Sequence, residues 1–314
     1  MSLSLPGMLS VYYFLRCILL SMLLFVTACS KTEYADTLEP DALMKLVFKG
    51  WQADSIVKRP ILKIQDDGFN KNGMYLAPVK VLKLADDRAV LLTRAIPEDT
   101  GKISRDVLAA YWFKRDGEKW LLEARQDDID SLRSVQEIKA VKIIELAPAR
   151  QGLLIEYSQS QRGETDVLAR LYMLRQHQIT TLLPENQDFM LLMKEFNHAD
   201  CTRRMKKAPG KPERVRLNDR EGRDGNCLDI QVKLELKPGK DLPGEIVLSA
   251  NAKMFEYREI ERHDLPDANG EYFTSYEVIP SAPRSTMVFH YDEAKGKYQR
   301  VSGSRSFLPD WYRE

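Results

Sequence analysis

Alternation of apolar and polar residues dominates the chain after residue 51. In Leu228–Lys237 every second residue is leucine, isoleucine or valine, and the residues between them are polar. Shorter apolar runs occur at Val79–Leu84 and Ala89–Thr93. A period of two places alternate side chains on opposite faces, as in a strand with one buried and one solvated face. The pattern predicts a mainly β (α+β) fold of antiparallel meanders or sandwich-like sheets.

Two turn signals connect strands into hairpins. Asp116-Gly117 separates Tyr111–Phe113 from Lys119–Leu122. Asp-Gly supplies the positive φ angles that a tight turn between twisted strands requires. The segment Lys237–Gly244, rich in proline and glycine, predicts a further hairpin after the Leu228–Lys237 strand.

Apolar residues at helical spacing occur in two segments. In Pro40–Trp51, a proline suited to a first turn is followed by Leu43, Leu46 and Val47 on one helical face. The second segment, Pro184–His198, has four apolar residues at helical spacing: Phe189, Leu192, Met193 and Phe196. We expect two or three short helices in total, with the second of these packed on the sheet.

An internal repeat links two parts of the chain. The sequence DVLA of Asp106–Ala109 recurs 60 residues later as Asp166–Ala169, and Trp112 aligns with Tyr172. An apolar strand precedes each copy, so the unit is a strand, a polar loop and a hairpin. Two similar meanders or an ancestral duplication within one sheet explain the pattern, and a β-propeller-like repeat is the alternative architecture.

The N-terminus has the character of a secretion signal. The uncharged run Cys17–Ala28 is shorter than the roughly 20 apolar residues that a membrane-spanning helix needs. It ends in Val26-Thr27-Ala28-Cys29, and this tetrapeptide resembles the lipobox of bacterial lipoprotein precursors. The resemblance implies cleavage before Cys29 and acylation of its thiol. The alternative is an uncleaved membrane anchor in which Cys29 is incidental.

The same resemblance gives an expected location and division of the chain. Ser30 follows the cysteine, whereas aspartate at that position is the usual inner-membrane retention signal of such lipoproteins. We therefore expect an outer-membrane anchor facing the periplasm. The predicted organisation is a signal peptide over residues 1–28, a tether over 29–40, a β-rich body with the repeated unit over 41–199, and a β-rich C-terminal part over 200–314.

Charge adds one localised feature to a nearly neutral protein. The chain has 47 Lys and Arg residues against 46 Asp and Glu residues, a balance that does not favour nucleic-acid binding. Between Cys201 and Cys227, however, nine basic residues face only four acidic ones. These two cysteines are the thiols left after the signal and the lipidation site. In an oxidising compartment they predict a disulfide that closes a basic surface loop.

This basic loop is the predicted partner-binding site. Its candidate residues are Arg203, Arg204, Lys206, Lys207, Lys211, Arg214 and Arg216. An envelope protein, anionic lipid or lipopolysaccharide surface would supply the opposite charge. A solvated loop without a partner is the alternative.

Catalytic signatures are sparse. The sequence contains no GxGxxG, Walker, HExxH or GxSxG motif, and it predicts no cofactor. Glu259, Glu261 and His263 would share one face of a strand and form a ligand set for a divalent metal, although a solvated edge strand shows the same pattern. The sequence favours a lipid-anchored envelope module for binding or structure, such as an inhibitor or immunity protein. The alternative is an envelope hydrolase or metal-dependent enzyme.

Overall fold

A computed structural model describes residues 33–53, 56–57, 74–97, 105–133, 135–161, 164–184, 187–196, 201–206, 210–218, 227–262 and 272–303. These residues form two antiparallel sheets with little helix, which confirms the mainly β prediction. Within the described ranges, no helix has the length and apolar character needed to cross a membrane.

The first sheet, sheet A, contains six strands. In spatial order they are β1 (Tyr34–Ala35), β6 (Lys119–Arg133), β5 (Arg105–Asp116), β4 (Arg88–Pro97), β3 (Met74–Ala85) and β2 (Ile56–Val57). The predicted first helix is α1 (Pro40–Val47), which buries Leu43 and Met44 against one face of this sheet. Gly117 has the expected positive φ of 62° in the β5–β6 turn.

The second sheet, sheet B, contains eleven strands. They are β7 (Val135–Ala147), β8 (Arg150–Gln161), β9 (Glu164–Arg175), β10 (Gln178–Thr181), β11 (Phe189–Phe196), β12 (Glu213–Asn218), β13 (Cys227–Lys237), β14 (Glu245–Arg262), β15 (Phe273–Ser281), β16 (Arg284–Asp292) and β17 (Lys297–Ser302). The main path runs β12-β15-β14-β13-β11-β9-β8-β7, while β10 pairs with β9 and β16 joins β14 to β17. A single-turn helix, α2 (Cys201–Met205), lies between β11 and β12 in the chain.

Sheet B curves so that β17 meets the residues that follow β10. The Tyr298 N–H of β17 donates to the Leu182 carbonyl oxygen at 2.7 Å, and the rings of Phe189 and Phe289 lie 5.1 Å apart. The predicted hairpin at Lys237–Gly244 connects β13 to β14. A Cβ atom on Gly244 would lie 1.9 Å from the Lys237 carbonyl oxygen, so only glycine fits there.

The helix predicted for Pro184–His198 is wrong, because this segment contains strand β11. In β11, Met193 pairs with Asp166 of β9 on one side and with Ile230 of β13 on the other. A strand buried on both faces lacks simple alternation. A bulge between Met190 and Leu192 also shifts the period by one residue. As a result, the apolar residues of β11 have the three- and four-residue spacing that is typical of a helix.

The internal repeat occupies equivalent positions in the two sheets. Val90 pairs with Trp112 between β4 and β5, and Leu153 pairs with Tyr172 between β8 and β9. Trp112 and Tyr172 belong to one buried core between the sheets. The two units are therefore halves of a sandwich rather than blades of a propeller.

A buried ionic network joins the sheets. Arg170 Nη1 on β9 lies 2.6 Å from Asp130 Oδ2 on β6, and Arg170 Nε donates to Asp188 Oδ1 at 2.6 Å. The Tyr172 hydroxyl donates to Asp130 Oδ2 at 3.1 Å. Burial raises the pKa of Asp188, although Arg170 acts in the opposite direction.

Candidate functional site

The predicted disulfide between Cys201 and Cys227 is present. It connects α2 to the first residue of β13, and both cysteines are buried against Phe255 and Val278. The bond therefore anchors the start and the end of the basic segment to the body of sheet B.

The basic residues of this segment occupy two different environments. Arg204 is only 6% exposed, forms an ion pair with Glu213, and has its guanidinium carbon 5.7 Å from the centre of the Tyr257 ring. Lys206, Lys211, Arg214 and Arg216 are exposed. The Arg203 side chain and all of Lys207 lie outside the described residues.

Two of the exposed cations lie on the last strand of sheet B along the described path, and Lys206 and Lys211 precede that strand in the chain. β12 is the terminal strand on the described path, and it carries Arg214 and Arg216. Glu213 on the same strand is already neutralised by Arg204. Opposite Arg214 lies Glu277, whose Oε2 is 3.9 Å from Arg258 Nη1. We call the set Lys206, Lys211, Arg214 and Arg216 the basic edge.

The candidate metal ligands are not brought together by the described structure. Glu259 and Glu261 are exposed, and a bulge lies between them in the pairing of β14 with β15. The bulge interrupts the alternation that would place both carboxylates on one face. His263 lies outside the described residues. Among those that are described, no group of three or more His, Cys, Asp or Glu residues could hold a metal ion.

A cleft of about 620 Å³ lies between the two repeated units. The sequence patterns did not predict it. Its walls come from the β3–β4, β7–β8 and β9–β10 turns and from the adjoining parts of β5 and β6. Three arginines line it: Arg88, Arg150 and Arg175. Its volume is within the roughly 300–1,000 Å³ typical of small-molecule sites.

One hydrogen-bonded pair fixes the wall of this cleft between the sheets. His177 Nε2 lies 2.8 Å from Glu123 Oε2. This hydrogen bond lowers the pKa of Glu123, and the charge of Arg88 acts in the same direction. The His177 ring packs edge-on to Trp112 at 6.2 Å. Of the described residues that line the cleft, none is a serine, threonine, cysteine or lysine.

A sequence signal for the cleft exists in the repeat. Ala85 and Arg88 flank the two-residue turn between β3 and β4, and Ala147 and Arg150 flank the equivalent turn between β7 and β8. The motif Ala-x-x-Arg thus occurs once in each unit, 62 residues apart. Only the packing of the sheets shows that both arginines line one cavity.

Models of known protein families, characterised proteins and solved structures give no match to this chain. The basic edge and the cleft are the two places where the described structure offers recognisable binding chemistry. The basic edge is open and cationic, whereas the cleft is concave and combines cationic with apolar groups.

Proposed function

We propose that the protein is a lipid-anchored lipoprotein of the cell envelope that binds an acidic protein partner through the basic edge. An envelope-assembly component or a secreted toxin neutralised by an immunity protein would be a partner of this kind. The observation that carries the proposal is the charge separation around β12. Glu213, the acidic residue of that strand, is engaged by buried Arg204, while Lys211 and Arg214 are exposed at the surface.

Among the described strands, β12 pairs on one side only, so its other side would supply backbone groups for a partner. An edge strand presents unpaired N–H and C=O groups, and an extended segment of another protein can add to it. Exposed cations beside that edge favour an acidic segment and speed its association. Charge on an edge strand also prevents self-association, so the experiment must distinguish docking from protection.

The anchor would hold the folded body close to the membrane. Tyr34 already pairs with Leu121 of β6, so the ordered sheet begins five residues after Cys29. Five extended residues span at most about 18 Å. The proposed location is the outer membrane, with the body facing the periplasm.

Charge reversal tests the basic edge. The variant Lys206→Glu, Lys211→Glu, Arg214→Glu should fold normally, because exposed substitutions usually change stability by less than about 0.5 kcal/mol. It should lose the protein that wild type captures by crosslinking in intact cells, and binding of that purified protein to wild type should weaken with salt. Arg204 is left unchanged because it is buried.

A matched control separates local from general charge effects. Lys49→Glu, Lys83→Glu, Lys240→Glu changes the net charge equally at exposed positions away from β12. This control should retain the partner. Equal capture by both triple variants, or self-association of the edge variant without loss of a partner, would show that the basic edge only protects the sheet.

Lipidation is tested at Cys29. The Cys29→Ser variant should lose acyl labelling and either accumulate as the precursor or leave the membrane fraction, because the acylated thiol is the proposed attachment. Mass spectrometry of the wild-type N-terminus provides the direct measurement. An intact Met1 on membrane-bound protein would contradict the lipoprotein assignment.

A further inference from the structure

The cleft places cationic groups from both repeated units around one volume. Arg88 and Arg150 come from equivalent hairpins, and Arg175 comes from the end of β9. None of the three forms an ion pair with another described residue. Arginine binds phosphate and carboxylate groups through paired N–H donors, so the cleft is suited to an oxyanion.

The cleft also contains apolar side chains and a buried donor. Leu84, Phe113 and Met173 contribute hydrophobic surface to its lining. Trp112 also lines it and is only 3% exposed, yet its Nε1–H has no hydrogen-bond partner among the described residues. A buried donor without an acceptor costs about 1–3 kcal/mol, and an acceptor atom on a ligand would remove that cost.

We propose that this cleft binds a small organic phosphate, with the phosphate held by Arg88, Arg150 and Arg175 and an apolar group packed beside Trp112. The Trp112 Nε1–H donates to an oxygen of the bound molecule. The paired Glu123 and His177 hold the β9–β10 turn against β6 and so keep the wall in place. This site goes beyond the partner binding proposed for the basic edge.

Two sources could supply such a phosphate. Glu123 lines the cleft two residues after Leu121, which pairs with Tyr34 near the proposed anchor. The cleft would therefore lie close to the membrane, where lipid headgroups carry phosphate. A soluble phosphate ester has the same chemistry. Only the choice of source rests on the proposed anchoring, because binding itself depends on residues within the fold.

The test measures binding to the purified full-length protein in a detergent that contains no phosphate, so that it does not depend on lipidation of Cys29. Phenyl phosphate serves as the soluble probe and dihexanoyl phosphatidic acid as the lipid-like probe. Inorganic phosphate and phenol, the two components of phenyl phosphate, are measured separately for comparison. We expect phenyl phosphate to bind at least tenfold more tightly than either half. The Trp112 indole N–H resonance, assigned with Trp112→Phe, should shift on binding.

Variants locate the site. The double variant Arg88→Met, Arg150→Met should bind phenyl phosphate at least tenfold more weakly. Arg115→Met is the matched control, since Arg115 aligns with Arg175 in the repeat but donates to the Gly117 carbonyl oxygen at the surface. Circular dichroism and thermal unfolding of each variant confirm that the fold is retained. If the double variant does not fold, Trp112→Phe alone must weaken binding.

The outcomes separate the possibilities. Binding of both probes supports a general organic-phosphate site, and binding of the lipid-like probe alone identifies the membrane as the source. Absence of binding to both, equal weakening by Arg115→Met, or an unchanged Trp112 resonance would overturn the proposal. The Cys29 and basic-edge results do not affect this test, so failure of either proposal can be recognised separately.

Discussion

Replacement of Arg170 by methionine tests the ionic network between the sheets. The Arg170 side chain is 6% exposed and lies between Asp130 and Asp188, at 2.6 Å from each. Methionine retains an unbranched side chain but removes the positive charge, so two partly or fully buried carboxylates lose their common partner. Breaking a buried ion pair by removing one member costs about 3–5 kcal/mol. We expect the free energy of unfolding to fall by about that amount at pH 8.

The loss should depend on pH in a defined direction. Burial already raises the pKa of Asp188 in the wild type, where Arg170 opposes the rise. Without Arg170, the folded-state pKa of Asp188 rises further above its value in the unfolded chain. The folded variant then binds protons more tightly than the unfolded variant, so its stability increases as pH falls. The difference from wild type should shrink between pH 8 and pH 5.

Urea unfolding followed by tryptophan fluorescence at pH 8, 6.5 and 5 measures both effects. Arg300→Met, at an exposed position, is the control and should remain within about 0.5 kcal/mol of wild type. Adding Asp188→Asn to Arg170→Met should recover part of the stability, because it removes a negative charge that has lost its arginine. A loss below about 1 kcal/mol at pH 8, or a difference that grows as pH falls, would refute the assignment of this network as a charge-dependent link.

Two further stability predictions concern other buried groups. Burial raises the pKa of Asp106 to about 6, although Arg94 lies 3.4 Å away. The folded state therefore gains about 1.4 kcal/mol of stability from this group as the pH falls from 7.5 to 5. The Asp106→Asn variant should lose that gain in urea titrations. An unchanged pH dependence would contradict the prediction. Replacing both Cys201 and Cys227 by alanine should lower the free energy of unfolding by about 3.5 kcal/mol in the chain-entropy model, relative to the non-reduced wild type. A loss below about 1 kcal/mol would show that other contacts already constrain the loop.

Local sequence patterns predicted the mainly β fold, the β5–β6 and β13–β14 hairpins and α1, because each depends on residues close together in the chain. The alternating residues of Leu228–Lys237 became β13, and Asp116-Gly117 lies at the β5–β6 turn. β11 could not be predicted in this way. Its burial between β9 and β13, together with its bulge, depends on pairing with residues distant in sequence.

The candidate sites show the same division between local and distant information. The composition of the Cys201–Cys227 segment located an excess of positive charge but did not show which cation would fold inward. Arg204 is buried because Glu213 and Tyr257 meet it from two strands. The cleft required even more distant pairing, since its lining is drawn from Leu84–Ala89 through to residues near His177.

Differences between the two repeated units explain why their junction contains a cleft on one side and a closed polar network on the other. Tyr172 and Trp112 occupy equivalent strand positions in the shared core. The Tyr172 hydroxyl is satisfied by Asp130, whereas the Trp112 indole N–H has no acceptor among the described residues. The two rings pair at equivalent strand positions, so the asymmetry reflects the different side chain that each unit carries there. The second unit uses its aromatic polar group to close the core, whereas the first leaves a donor without an acceptor among the described residues, and this is the donor that we propose the ligand satisfies.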